Sequence, residues 1–232
     1  MKTKLIRITL KQLLSSDAHL GHTTNKRNPQ NTSYIIAKRD NRDLIHLQLT
    51  LQAFEPVLHM IINTVANYEK LLVIAQHPAA KTYQQTHPPY ALPLLTDKWV
   101  HGGLSNFKTI KNAKKHNFFK TLSRLPNGIF IIHANNFDII LNETKYLEIP
   151  TIGIADTNNN ASRLQYSIPA NNTSDSVIPF YLNLIKQACY YGYAKNLLKF
   201  KTRSSKHSTT KSDYYKKYSK NKVLTRKGNT PL

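Results

Sequence analysis

Three short, continuous apolar runs constrain the fold of this chain more than any other feature. They are Leu71–Ala75, 129–132 and Thr151–Ala155. Each has strand length and is almost wholly apolar, which is typical of a strand buried on both faces of a parallel sheet. Stretches with helical spacing lie around them, so the sequence predicts strands that alternate with helices. We therefore expect an α/β protein whose mostly parallel sheet is covered by helices on both faces.

The apolar residues that surround these runs recur at helical spacing. The sequence predicts helices over about 50–69, 136–147 and 176–198. Pro56 lies inside the first helix, where it either marks a late helix start or introduces a kink. Short strands are expected at 34–37 and 44–47, and the Pro-rich stretch 87–93 is expected to be a non-helical connector.

The charge of the chain indicates its partner. Lys and Arg number 33 against 12 Asp and Glu, which gives a formal net charge of +21. Such an excess strains a compact fold by self-repulsion, so we expect a polyanionic partner, with nucleic acid first and an anionic membrane surface next. Since no window approaches the roughly 18 uninterrupted apolar residues of a membrane span, none is predicted.

The chain lacks the motifs of nucleotide enzymes. It contains neither G-x-G-x-x-G nor G-x-x-x-x-G-K-[ST], and it has only 7 glycines. Its scattered acids offer no general acid/base pair, and Cys189, its single cysteine, is interpreted as an ordinary semi-buried helix residue. We therefore predict no enzyme and no cofactor. A degenerate α/β enzyme would need a concave site with convergent polar groups at the strand ends, and a flat, basic surface there would exclude it.

The stretch 99–110, WVHGGLSNFKTI, combines features that suit contact with another chain. The pair Gly102 and Gly103 lets the backbone come close to a partner. Trp99 offers a stacking face, although a core position is the more common one for a tryptophan. Lys98 and Lys108 bracket the stretch with positive charge.

Three further strings accompany this stretch in the same chain. They are DAHLGH at 17–22 with Asn28-Pro29 after it, PTIGIADTN at 150–158, and IPAN at 168–171. In this order the four strings resemble the universal small-subunit ribosomal protein family numbered two, and the resemblance covers about residues 10–198. Asp156, Thr157 and Asn158 are expected to shape the turn after their strand rather than to touch RNA.

The resemblance implies a three-layer α/β/α sandwich with a mostly parallel, flavodoxin-like (Rossmann-like) sheet. We expect one such domain at 1–200, in which 111–124 is the remnant of a helical hairpin that relatives insert. Residues 201–232 carry ten Lys or Arg against one Asp. That composition is typical of an extension that stays disordered until it is bound.

The resemblance also implies a structural constituent of the small ribosomal subunit that supports translation. Relatives bind rRNA and neighbouring ribosomal proteins at the head–body junction, near messenger RNA, with neither a membrane nor a small-molecule substrate. The alternative is a non-ribosomal RNA-binding or ribosome-assembly protein on the same fold.

The composition indicates a compartment. Asn (22) far outnumbers Gly (7), as an AT-rich genome would give. With the reduced hairpin, the basic tail and little room for a presequence, this favours a mitochondrial-type member in the matrix; a bacterial or plastid ribosome is the alternative.

We expect rRNA contacts from basic side chains and from the motif at 99–110. The candidates are Lys26, Arg27, Lys38, Arg39, Arg42, Lys98, Trp99, Gly102, Gly103, Asn106, Lys108, Lys111, Lys114, Lys115, Arg163, Lys216 and Lys217.

His19 and His22 are weak candidates for a metal pair. The resemblance implies a metal site here in some relatives, with acids after an Ile-Pro-Gly-Asn turn, but this chain has Asn172 and Thr173 at those places. We therefore predict no metal, and expect the histidines to hydrogen-bond the backbone or rRNA.

Overall fold

The structure, a computed structural model, describes residues 6–86, 93–113 and 117–197. The connector residues 87–92 and the C-terminal extension lie outside this part of the chain. The described strands are β1 (Leu20–Thr23), β2 (Ile35–Arg39), β3 (Arg42–Ile45), β4 (Leu71–Ala75), β5 (Leu94–Leu95), β6 (Gly128–His133), β7 (Thr151–Ala155) and β8 (Tyr166–Pro169). The helices are α1 (Leu10–Ser15), α2 (Leu47–Ala66), α3 (Pro78–Thr86), α4 (Phe107–Asn112), α5 (Asn117–Thr121), α6 (Phe137–Tyr146) and α7 (177–197).

The main sheet has five parallel strands in the order β5-β4-β6-β7-β8. Successive side chains of a strand point to opposite faces, and β4 shows this clearly. Val73 joins a core cluster with α2 and α7, whereas Leu72 and Ile74 join a second cluster with α5 and α6. The predicted three-layer α/β/α architecture is thereby confirmed.

A second, smaller sheet precedes the main one and was not predicted as such. It is antiparallel, in the order β1-β3-β2. The expected strand at 34–37 corresponds to β2, but the strand expected at 44–47 is shifted. It ends at Ile45, because Leu47 already begins α2.

Helix α2 crosses the predicted region of 50–69 but begins earlier, at Leu47, and runs through Pro56. The interpretation of Pro56 as a late helix start is therefore wrong. A proline inside a helix removes one backbone hydrogen bond, and burial of the apolar face of α2 against the sheet outweighs that loss. Phe54, Val57 and Ile61 on that face are at most 2% exposed.

The region 111–124, predicted to be a remnant of a helical hairpin, contains the end of α4 and the whole of α5. Residues 114–116 between them lie outside the described part. Phe119 of α5 is fully buried, and its ring lies edge-on to that of Trp99, with centroids 5.8 Å apart. Helix α5 is thus packed onto the core.

Candidate nucleic-acid interface

The β2–β3 hairpin exposes three basic side chains, those of Lys38, Arg39 and Arg42. Arg39 lies opposite Arg42, so the connecting loop contains only Asp40 and Asn41. These two residues have φ angles of 49° and 60°, as a type I′ turn requires. Like charges directly opposite each other destabilise an isolated hairpin. A polyanion that binds the tip would relieve this repulsion.

Arg27 does not belong to this exposed set. Its Nε donates a 2.8 Å hydrogen bond to Asp43 Oδ2, and its Nη2 donates to Asp43 Oδ1. The Asp43 side chain is fully buried, so Arg27 neutralises a carboxylate that water cannot reach. The hydrogen bond to Asp43 raises the pKa of Arg27. Arg27 therefore has a structural role through these two donors, and its contact with rRNA stays a prediction.

The motif at 99–110 divides into an exposed part and a buried part. Lys98, Asn106 and Lys108 are exposed, as is Lys26 of the opening segment. Lys111, just beyond the motif, is half-buried. Its Nζ lies 5.7 Å from the centroid of the Phe107 ring and donates a 3.3 Å hydrogen bond to the Ser123 carbonyl.

The buried part of the motif is organised by Glu143 of α6, which is 9% exposed. Its Oε1 accepts hydrogen bonds from Trp99 Nε1 and from the Gly102 backbone N–H, both at 3.0 Å. Its Oε2 accepts from the backbone N–H groups of Leu104 at 2.9 Å and Ser105 at 3.3 Å. One carboxylate thereby satisfies four donors of a loop that has no regular secondary structure of its own.

This arrangement corrects the expectation that Trp99 offers a stacking face. Trp99 is 4% exposed, so its ring cannot stack on an RNA base. The close approach that Gly103 permits is also internal, since a Cβ there would lie 2.7 Å from the Phe119 ring. Gly102 has a φ of +79°, a backbone conformation that glycine adopts without strain. Both glycines therefore shape the loop.

Sequence reasoning missed Glu143, although a signal was present. Glu143 lies three residues after Ile140 and four before Leu147, on the face of α6 that the helical spacing predicts to be apolar. An acid on such a face needs buried donors. Which donors it meets could not be read from the sequence, since Trp99 lies 44 residues away.

The other three family strings meet at the carboxyl end of β7. The backbone N–H of His22 donates to Thr157 Oγ1 at 2.9 Å, and that of Asn28 donates to the Thr157 carbonyl at 2.8 Å. The backbone N–H of Asn171 donates to the Ala18 carbonyl at 3.0 Å. These hydrogen bonds hold the three strings together in the folded chain.

Asp156 lies at the centre of this junction and is 1% exposed. Its Oδ1 accepts from the Thr157 N–H at 2.6 Å, and its Oδ2 accepts from the Asn172 N–H at 3.3 Å. His22 Nδ1 lies 3.0 Å from the same Oδ2. The prediction that Asp156 and Thr157 shape the turn is confirmed.

The same contacts bear on the metal candidates. His22 faces Asp156 rather than His19, whose Nδ1 is buried without a partner in the described chain. Within 6–86, 93–113 and 117–197, no three His, Cys, Asp or Glu side chains are grouped to hold a metal ion. Because Asn172 and Thr173 stand where the resemblance implies acids, the donor set does not fit the metal site that the resemblance implies.

The strand ends do not form the flat, basic surface that would exclude an enzyme. A crevice of about 730 Å³ opens there between the loops that follow β6, β7 and β8. Arg163, a predicted rRNA contact, lies in its wall, where it is ion-paired with Asp138 and donates to Asn142 Oδ1 at 2.7 Å. Asp138 is the only acid among the described lining residues, so the crevice lacks the second carboxylate of a general acid/base pair.

Four of the predicted rRNA contacts lie outside the described residues. They are Lys114, Lys115, Lys216 and Lys217.

Cys189 is buried, and burial raises the pKa of its thiol to about 12, so it is protonated at neutral pH. None of the helices in the described chain combines the length and the apolar character needed to cross a membrane.

The fold and the surface together define the class of the chain: a three-layer α/β protein with an exposed basic hairpin and a polar crevice at the carboxyl ends of its strands. Comparison with known protein families gives a match to a named family. The family model described as ribosomal protein S2 matches residues 13–120 and 112–192. The chain therefore belongs to the ribosomal protein S2 family. The two matched segments meet at 112–120, within the region where the sequence predicts a reduced insertion.

Individual relatives agree with this assignment. The chain is 26% identical over 217 residues to the small ribosomal subunit protein uS2 of Borrelia duttonii (strain Ly), which covers 78% of this chain and 85% of the relative. It is 25% identical over 249 residues to the protein of the same name from Azobacteroides pseudotrichonymphae genomovar. CFP2, with coverages of 92% and 95%.

Proposed function

We propose that this chain is a structural constituent of the small ribosomal subunit, where it binds rRNA and supports translation. The observation that carries the proposal is the family match across 13–192, together with the names of its relatives. The net charge of +21 supports an RNA partner. Neighbouring ribosomal proteins are further partners, and a place at the head–body junction near messenger RNA remains a prediction from the resemblance.

We propose that rRNA contacts the exposed basic residues and not the buried motif. The β2–β3 hairpin presents Lys38 and Arg39 on the edge strand β2 and Arg42 at the start of the central strand β3, and all three are exposed. Cationic side chains bind the phosphate backbone and release its counterions, which gives affinity without sequence readout. Lys26, Lys98 and Lys108 extend this exposed set, and the tail at 201–232 is proposed to extend it further.

The exposed charges of the β2–β3 hairpin are expected to contribute to rRNA binding. Removal of its charges in the triple variant Lys38→Gln/Arg39→Gln/Arg42→Gln should weaken binding to small-subunit rRNA and flatten its salt dependence. Each phosphate contact contributes a slope of about 0.7–0.9 in log affinity against log salt, so three lost contacts should reduce the slope by roughly 2–3. Filter binding of the full-length protein over a series of salt concentrations measures this slope.

A charge-matched control separates the hairpin from net charge. Lys11→Gln/Lys145→Gln/Lys186→Gln removes the same three charges from α1, α6 and α7, where none of them makes a hydrogen bond or ion pair within the described chain. Its slope should stay within about one phosphate contact of the wild type. Equal slopes for the two triple variants would contradict a specific role of the hairpin.

We infer from composition that the ribosome concerned is mitochondrial. The high Asn and low Gly content supports this proposal, as does the short region at 112–120 where the two family matches meet. Both relatives described above are bacterial proteins, so a bacterial or plastid ribosome is the alternative. Fractionation of cells that make the protein, with antibodies against the chain, distinguishes these locations.

A further inference from the structure

The crevice at the carboxyl ends of β6, β7 and β8 differs chemically from the basic surface around it. Seven of its fifteen lining residues are asparagines. Asparagine carries both a hydrogen-bond donor and an acceptor on one planar group. At about 730 Å³, the crevice lies within the range of roughly 300–1,000 Å³ that is common for small-molecule sites.

Some of these amides maintain the fold. Asn28 Oδ1 accepts from the Gln30 N–H at 3.0 Å, and Asn160 Oδ1 accepts from the Ser162 N–H at 3.1 Å. In contrast, the side-chain amides of Asn135, Asn136 and Asn159 make no hydrogen bond within the described chain. These three groups keep their full capacity to bind a ligand.

The backbone that carries the unpaired amides is nevertheless held in place. The Asn135 N–H donates to Gln76 Oε1 at 2.9 Å. The Asn159 carbonyl accepts from Asn31 Nδ2 at 2.5 Å, and its N–H donates to the Asp156 carbonyl at 3.2 Å. Fixed backbone with free side-chain amides lowers the entropic cost of binding.

The electrostatics of the crevice favour a neutral ligand. Arg163 and Asp138 form an ion pair in its wall, and His22 faces the buried Asp156. Burial and the neighbouring His77 lower the pKa of His133, which keeps that imidazole neutral at pH 7. Since no net positive charge remains inside, the crevice suits an uncharged polar group better than a phosphate.

We propose that this crevice binds an unpaired nucleobase of RNA, with Asn135, Asn136 and Asn159 hydrogen-bonded to the edge of the base. Side-chain amides match the donor and acceptor pattern of base edges, and proteins read RNA mainly through unpaired bases. The inference rests on the proposed ribosomal function, which supplies the RNA. It goes beyond that function because it assigns base recognition to an amide-lined crevice, whereas the proposed phosphate contacts are exposed Lys and Arg side chains.

Ultraviolet cross-linking of intact wild-type small subunits tests the proposal without any mutation. Trypsin releases the three proposed amides on two peptides, with Asn135 and Asn136 on 125–145 and Asn159 on 146–163. We expect a nucleotide adduct on one of them, mapped by mass spectrometry to 133–137 or 158–160. Subunits that contain the chain but give no adduct on either peptide would overturn the proposal and leave the proposed function intact.

The variant Asn135→Ala/Asn136→Ala/Asn159→Ala tests the role of the amides. Its subunits should show a cross-link yield reduced roughly ten-fold, and one rRNA base should become more reactive to base-specific chemical probes. The control Asn25→Ala/Asn112→Ala/Gln187→Ala truncates three exposed amides elsewhere and should leave both readouts unchanged. An unchanged yield in the crevice variant would contradict base recognition by these amides.

A free nucleotide is the other source of the same chemistry. Titration of the isolated full-length protein with AMP and with UMP, followed by NMR of the asparagine side-chain amides, distinguishes the two. Saturation by a mononucleotide without an adduct in subunits would overturn the RNA assignment. An adduct to RNA in a protein that never enters the small subunit would support the crevice and refute the proposed function.

Discussion

Replacement of Glu143 by Gln should destabilise the protein by about 2–4 kcal/mol. The carboxylate gives two acceptor oxygens to four N–H donors. A glutamine retains one of these oxygens and turns an NH₂ group toward the other pair of donors. In either orientation, one buried and one partly buried N–H group then lose their acceptor. The midpoint of thermal unfolding should fall by roughly 5–15 °C, since each kcal/mol shifts it by about 2–4 °C in a chain of this size.

Hydrogen exchange locates the effect of Glu143→Gln. The amides of Gly102, Leu104 and Ser105 should exchange faster, because their acceptor is lost or weakened. Glu148→Gln is the matched control, since Glu148 follows the same helix but is exposed. It should change stability by no more than about 0.5 kcal/mol. Equal effects of the two substitutions would show that Glu143 does not organise the loop.

Replacement of Gly192 by Ala should destabilise the protein, although helix propensity alone predicts the opposite sign. In an exposed helix, Gly→Ala stabilises by about 1 kcal/mol. At Gly192 of α7, however, a Cβ would lie 2.7 Å from Val65 Cβ and 2.8 Å from the Ile62 carbonyl oxygen. Neither atom can move without separating α7 from α2. We expect a net loss of roughly 1–3 kcal/mol, measured by chemical denaturation.

Neighbouring contacts explain why the two helices cannot simply move apart. Lys195 Nζ donates to Asn63 Oδ1 at 2.8 Å, and the buried Asn196 Nδ2 donates to the Ala66 carbonyl at 2.9 Å. Gln187→Ala, on an exposed position of α7, is the control and should change stability by less than about 0.5 kcal/mol. A Gly192→Ala variant more stable than the wild type would contradict this packing of α7 on α2.

The main sheet could be predicted from the sequence because its central strands are buried on both faces. Leu71–Ala75 and Thr151–Ala155 are buried at every position, so their runs are almost wholly apolar. The short β5 and the half-exposed Tyr166–Pro169 carry no such pattern and were not identified as strands. Strand order depends on contacts between distant segments, which local patterns do not encode.

The strand at 34–37 was predicted, but its pairing with β3 in a basic hairpin was not. Most of β2 is exposed, so its sequence lacks the apolar–polar alternation that would indicate a half-buried sheet. The pair Asp40-Asn41 was the available signal, since both residue types tolerate positive φ. Read together with the basic residues on either side, it would have indicated a charged turn.

The surroundings of the candidate site residues could be predicted less well than the fold. Charge alone could not separate Arg27, which neutralises the buried Asp43, from Lys38, which is exposed. A tryptophan near two glycines is compatible with base stacking or with core packing. The hydrogen bond from Trp99 to Glu143, 44 residues away, holds the ring in the core. The crevice was not predicted because its asparagines come from separate loops that only the sheet brings together.

Sedimentation of the chain with the small ribosomal subunit tests the central claim most directly. Extract from cells that make the protein is separated on sucrose gradients at low and high salt, and each fraction is probed for the chain. We expect it to migrate with the small subunit and to remain there at high salt. A peak of free protein, or release at moderate salt, would contradict a structural ribosomal role and indicate an assembly factor or a separate RNA-binding protein.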